Sequence, residues 1–251
     1  MPTIKIRDID LYYDVHGHAA GEPLVLLHAF TETGAMFDPF LERLGEAYRL
    51  YVLDWRGHGR TNNPQGEIRH VELARDLASF VTTLGLEAAH LCGISSGGMQ
   101  LTFLAMERPE LVASVTFVAA TYMFDHRLQS RVSKIVEDAS ERWLAQLQSR
   151  HGAVNGPGYS RMLLAQWLEA VQRADELPFK PIDLKRIKRP ALIIHGDRDA
   201  FFPVHIPVTM YQMIPKAELC ILPGCGHDVA GDRPHMFIDA LLQFLASNRR
   251  G

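Results

Sequence analysis

Six apolar runs punctuate the chain: PLVLLHAF (23–30), YRLYVLDW (48–55), AAHLCGIS (88–95), LVASVTFVAA (111–120), PALIIHGD (190–197) and AELCILPG (217–224). Each is short and nearly unbroken, the pattern of a strand buried on both faces. Between the runs the apolar period lengthens. Phe37, Phe40, Leu41 and Leu44 fall at i, i+3, i+4 and i+7, and Leu73, Leu77, Val81 and Leu84 continue a stripe over three turns. Phe237, Ala240, Leu241 and Phe244 repeat it near the end. Buried strands alternating with amphipathic helices predict an α/β fold: a mostly parallel central sheet with helices on both faces. The stretches 3–8 and 10–15 read as antiparallel edge strands.

The rhythm fails between Thr121 and Arg189, where no good strand is found. Two helical stretches, around 126–150 and 159–175, are separated by HGAVNGPG. The expected organisation is a core of residues 1–120 and 190–251, with 121–189 inserted as a small helical cap over the carboxyl ends of the strands, where such sheets bind ligands. A structural excursion elsewhere on the surface is the competing reading.

The motif GISSGG (93–98) follows a strand and opens the helical stretch SGGMQLTFLAMERP. Strand, sharp turn and helix are the setting of a G-x-S-x-G nucleophile elbow. A turn that tight forces its central residue into unfavourable backbone angles and leaves no room for neighbouring β-carbons, which explains Gly93 and Gly97. Ser95 stands at the tip as the candidate nucleophile. Ser96 is one step too far along, but its N–H lies at a helix N-terminus, where negative charge is favoured.

A serine hydroxyl needs a base. The run PALIIHGD leads into RDAFFP with Asp197 and Asp199, and AELCILPG leads into CGHDVAGDRP with His227. Serine, aspartate and histidine therefore occur in that order, each just past a strand end on one edge of the sheet. An aspartate that fixes the imidazole tautomer completes a catalytic triad.

Through LLHAF, DWRGHGR, GISSGG, HGDRDAFFP and GCGHDVAGDRP, the chain resembles the α/β-hydrolase superfamily over nearly its full length. The resemblance implies Asp199 as the acid, with Gly196 and Pro203 in register, and Asp197 as a turn-capping residue. It implies an oxyanion hole built from the N–H groups of Phe30 and Ser96. Ala29 stands where the family usually has glycine. Serine at the elbow sets the chain apart from the dehalogenases and epoxide hydrolases of the superfamily, and Asp228 stands where plant-type hydroxynitrile lyases carry lysine. Glu141-Arg142-Trp143-Leu144 resembles a stretch in the cap of oxoadipate enol-lactonases, implying that Arg142 and Trp143 face a substrate carboxylate.

Composition narrows the field. The 251 residues are 47% hydrophobic with a formal net charge of -3, and no basic run points to nucleic acid or an acidic membrane surface. No apolar run approaches a membrane span. Cys92, Cys220 and Cys225 read as core residues in a reducing compartment, so the expected location is cytoplasmic. GHG at 57–59 is no dinucleotide fingerprint, and the twelve histidines include no metal spacing, so no metal or cofactor is expected. Trp143, Arg142, Met99 and Phe202 are the candidate substrate contacts; for Arg142 a solvent-facing place on the outer face of a cap helix is the competing reading. The expected function is a serine hydrolase of small carboxylic esters or lactones acting on a small-molecule substrate. The alternatives are an enol-lactonase, a carbon–carbon bond hydrolase of aromatic degradation, a cofactor-free perhydrolase, or a ligand receptor on a hydrolase scaffold. Oligomeric state is left open.

Overall fold

The structure is a computed structural model that describes residues 3–86 and 88–249. Residues 1, 2, 87, 250 and 251, which the expected core includes, lie outside the described residues. Two antiparallel strands open the chain, β1 (Thr3–Ile6) and β2 (Ile9–Gly17), followed by β3 (Glu22–Leu27). A 3₁₀ segment at Gly34–Phe40 leads into the short α1 (Leu41–Gly45) and then β4 (Tyr48–Asp54). The stripe Phe37–Leu44 is thus not one α-helix; Pro39 lies inside the 3₁₀ segment. Next come α2 (His70–Thr83), β5 (Ala89–Ile94), α3 (Ser96–Glu107) and β6 (Val112–Val118). Three helices follow, α4 (His126–Glu137), α5 (Glu141–Asn155) and α6 (Tyr159–Gln172), and a 3₁₀ segment at Pro181–Arg186. The core resumes with β7 (Ala191–Gly196), α7 (His205–Met213), β8 (Ala217–Leu222), α8 (Val229–Asp232) and α9 (Pro234–Ser247).

The eight strands form one sheet in the order β1-β2-β4-β3-β5-β6-β7-β8. β1 and β2 pair antiparallel and β2 joins β4 antiparallel; the rest run parallel. The central strands are apolar throughout because both faces are covered. Val25, Leu27, Leu91, Val115, Phe117 and Ile193 join one core with α2 and α3, and Leu24, Leu26, Cys92, Ile94 and Ile194 join another with α9.

The order brings the candidate site loops together. β3 lies beside β5, with Leu27 opposite Gly93, so the loop carrying Phe30 adjoins the turn carrying Ser95. This is the switch point of the sheet, where crossovers leave in opposite directions and a crevice opens at the carboxyl ends. β7 lies beside β8, with Gly196 opposite Leu222, so the loops carrying Asp199 and His227 also adjoin.

The segment between β6 and β7 is more broken than the apolar pattern predicts. The single stretch expected at 126–150 is two helices. Asp138 closes α4, and the Ser140 hydroxyl accepts the Trp143 N–H at 3.2 Å to start α5. Short polar side chains that satisfy backbone groups locally favour such boundaries. Conversely, α5 runs through HGAVN and stops at Gly156, whose φ of 94° suits glycine.

Candidate active site

Ser95 occupies a strained corner. Its φ is 53° and ψ -116°, a region L-residues seldom adopt, and its N–H donates to Val118 O at 2.8 Å. The flanking glycines are needed for space. A β-carbon on Gly93 would lie 2.3 Å from the Gly97 backbone, and one on Gly97 would lie 2.3 Å from Leu27 O. The packing of helix onto strand leaves no room for either, and Ser95 projects from between them.

His227 meets that hydroxyl. Its Nε2 lies 3.1 Å from Ser95 Oγ, and its Nδ1 lies 2.8 Å from Asp199 Oδ2. The Asp199 side chain is fully buried. Burial alone would raise its pKa, but the hydrogen bond and charge of His227, with the Phe202 N–H, outweigh that and hold it below the ordinary carboxylate range. Its Oδ1 also accepts the N–H groups of Phe201 and Phe202, at 2.7 and 3.0 Å. An ionised carboxylate only accepts, so Nδ1 carries the proton and Nε2 is free to accept one from Ser95. Asp197 is engaged elsewhere: its Oδ1 accepts the Cys225 N–H at 3.2 Å and ties the turns after β7 and β8 together. Asp228 is exposed and caps α8 through the Gly231 N–H at 3.0 Å.

A cavity of about 650 Å³ opens over this group. Ser95, Ser96, His227, Phe30, Met99 and Phe202 line it, with Phe124, Leu128, Trp167, Ala170 and Val171 from the segment between β6 and β7. Such a mainly apolar cavity with a few convergent polar groups suits a small organic ligand. Among the described residues no group of His, Cys, Asp and Glu could hold a metal ion. No helix among them is long and apolar enough to cross a membrane.

A model of the alpha/beta hydrolase family matches residues 24–240. The chain belongs to that family. It is 25% identical to a 2-(acetamidomethylene)succinate hydrolase of Mesorhizobium japonicum over 92% of this chain and 91% of the relative. It is 24% identical to a pimeloyl-[acyl-carrier protein] methyl ester esterase of Nitrosomonas europaea, over 87% and 93%. The fold is similar to the enol-lactonase of Burkholderia xenovorans LB400, with a TM-score of 0.82 at 20% identity, covering 98% of this chain and 100% of that one.

Two residues expected at the substrate lie elsewhere in this hydrolase. Arg142 is exposed, and Trp143, half-buried, packs against Leu144, Leu147 and Leu164. Neither lines the cavity. Both sit in the first turn of α5, and it is α6 that presents a tryptophan to the cavity: Trp167, stacked on Phe30 with ring centroids 5.5 Å apart.

The sequence reading also missed how the Phe30 loop is held. Three buried histidines grip it. His28 donates from Nδ1 to Ala29 O at 2.8 Å and accepts the Trp55 N–H at Nε2, 3.3 Å. His58 accepts the Thr31 N–H at 3.4 Å. His151 donates from Nε2 to Thr31 O at 3.0 Å and accepts the Gly59 N–H at Nδ1, 2.9 Å. Each accepts at one ring nitrogen, so each is neutral. Burial is the main reason their pKa values fall, that of His28 to about 4. The histidine-rich motifs LLHAF and DWRGHGR were the available signal, but nothing in them shows that His151, far along the chain, joins the same group.

Proposed function

We propose that this hydrolase cleaves small carboxylic esters or lactones through an acyl-enzyme, with Ser95, His227 and Asp199 as its catalytic triad. The observation that carries the reading is the continuous chain of contacts from Ser95 Oγ through His227 to the buried Asp199. Ser95 attacks the carbonyl carbon as His227 Nε2 takes its proton. Asp199 orients the imidazole and stabilises the imidazolium. The negative charge that develops on the carbonyl oxygen is received by the main-chain N–H groups of Phe30 and Ser96. Two features favour that pair: the loops adjoin through β3 and β5, and neither N–H has an acceptor among the described residues. His227 then returns the proton to the departing alcohol, and water, activated by the same imidazole, releases the acid.

Residues 121–189 act as the cap of the site. They supply Phe124, Leu128, Trp167, Ala170 and Val171 to the cavity wall, which selects substrates by fit to an apolar chamber. The methyl ester esterase named among the relatives agrees with ester chemistry. The carboxylate-binding role considered for Arg142 finds no support, because that side chain is exposed to solvent.

The test is a panel of p-nitrophenyl esters and lactones, with a serine-reactive phosphonate probe. Cleavage and labelling that both vanish in Ser95→Ala are expected. A protein that binds such esters yet neither turns them over nor labels would be a receptor on a hydrolase scaffold.

A further inference from the structure

One polar side chain in the wall of the cavity is not used by the triad or the oxyanion loop. His70 is the first residue of α2, 2% exposed, and lines the same cavity as Ser95. Its ring packs edge-on against Phe124, centroids 5.8 Å apart. Its Nδ1 lies 2.7 Å from Glu176 Oε1, and the same oxygen accepts the His70 main-chain N–H at 2.6 Å. Glu176 is itself 1% exposed and takes Arg69 Nε on its other oxygen at 3.2 Å. Burial would raise the pKa of Glu176, but the contacts with His70 and Arg69 prevail and keep it ionised. An ionised carboxylate accepts only, so the Nδ1 proton points at Glu176. His70 Nε2 is buried without a hydrogen-bond partner among the described residues; in the neutral ring with its proton on Nδ1, this nitrogen is an acceptor. An orphaned acceptor of this kind is costly and rare in folded proteins. Fixing a buried imidazole in one tautomer with a second buried charge, at the edge of a cavity, is the arrangement of a residue awaiting a donor.

We propose that His70 is a substrate-recognition residue whose Nε2 accepts a hydrogen bond from a hydroxyl or amide N–H on the otherwise apolar chain of the substrate. The inference rests on the reading of this cavity as the substrate site. Glu176 is the positioning residue that holds the ring. Phe124 packs on the His70 ring, and the rest of the wall contributed by the segment between β6 and β7 is apolar, from Leu128, Trp167, Ala170 and Val171, so a donor on the substrate chain would find its acceptor at His70. A chain that ends in methyl would leave Nε2 unpaired, and the site would discriminate against it for that reason.

Binding to uncleavable ligands separates this from catalysis. Straight-chain alkanones and the matching hydroxyalkanones, in a series of lengths, would be titrated against the protein and followed at the Trp167 indole. At one chain length the hydroxylated ligand should bind about tenfold more tightly than its methyl-ended partner. That ratio should fall to about one in both His70→Phe and His70→Leu, and His70→Gln, which retains a carbonyl acceptor, should recover part of it. A ratio near one in the wild-type protein at every length would overturn the proposal without any variant. So would a preference that survives in a folded His70→Phe, or a His70-dependent preference confined to carboxylate-ended chains, which would require a donor at Nε2. Hydrolysis of p-nitrophenyl esters and labelling of Ser95 are read separately, so a failure of the hydrolase reading and a failure of His70 give different results.

Discussion

Ser95 Oγ and His227 Nε2 lie 3.1 Å apart although 132 positions separate the residues in the chain. The contact exists because β5 ends in a turn that lifts one hydroxyl clear of the helix, while the loop after β8 brings the imidazole across from the far side of β6 and β7. On the proposed reading this pair and the carboxylate behind it act as a unit.

Replacing the hydroxyl should therefore remove nearly all turnover. Ser95→Ala is expected to lower kcat by on the order of 10⁴ or more, with the variant still folded. Ser96→Ala should cost far less, because only its main-chain N–H is used. Steady-state kinetics on a p-nitrophenyl ester check both, and similar losses in the two variants would show that Ser95 is not the nucleophile.

The neighbouring aspartates should part company in the same way. Asp199→Asn offers His227 an amide in place of a carboxylate and favours the wrong tautomer, so a loss on the order of 10⁴ in kcat is expected. Asp197→Asn removes an acceptor from the Cys225 N–H and should lower the melting temperature while leaving most activity. Thermal denaturation beside kinetics distinguishes the two; the reverse pattern contradicts the assignment.

That Ser95, Asp199 and His227 meet in space was readable from sequence for a physical reason. Strand ends on a parallel sheet are close in space, and an elbow that excludes β-carbons leaves a mark of glycines around one serine. The sheet was equally readable, because strands covered on both faces are apolar from end to end. Helix orientation was not. Nothing in Glu141-Arg142-Trp143-Leu144 says which side of α5 faces the cavity, and the structure turns Trp143 toward Leu164 and leaves that role to Trp167. The interruption at Asp138–Ser140 was missed because apolar spacing continues across it. The grip of His28, His58 and His151 on residues 29–31 was invisible because it joins three distant parts of the chain.

Arg142 and Trp143 should now behave as ordinary residues of α5. Arg142→Ala is expected to change kcat/KM by less than about twofold on neutral and carboxylate-bearing esters alike, as befits an exposed side chain. Trp143→Ala should destabilise by about 1–3 kcal/mol through lost packing on Leu144, Leu147 and Leu164, without reordering substrates by acyl size. A selective collapse on carboxylate substrates in Arg142→Ala would mean the side chain swings inward when substrate binds.

The buried histidines make acid the weak point of the Phe30 loop. His28, His58 and His151, and His195 beneath Asp199, all have pKa values lowered from an ordinary 6.5, chiefly because burial disfavours the charged ring. In the unfolded chain the same rings take up protons near pH 6.5. Between that pH and the folded value, about 4 for His28, the unfolded state binds more protons than the native state. Stability therefore rises with pH across this window: it is fully present above about 6.5 and is lost as pH falls towards 4. His28 alone is worth about 3 kcal/mol across it. The carboxylates with lowered pKa values, Asp199 and Glu176 among them, add a loss of the same sign, but only from their ordinary values of 3.8 and 4.5 downward, which leaves the window above to the histidines. Calorimetric melts from pH 7 to pH 4.5 should show a steady fall in melting temperature with net proton uptake on unfolding. Replacing His151 with Gln, which can still donate to Thr31 O and accept the Gly59 N–H, should flatten the slope by the share of one histidine. A melting temperature that stays level across the window would mean that these rings are protonated in the native fold, and the hydrogen bonds they accept from Thr31, Trp55 and Gly59 could not then exist.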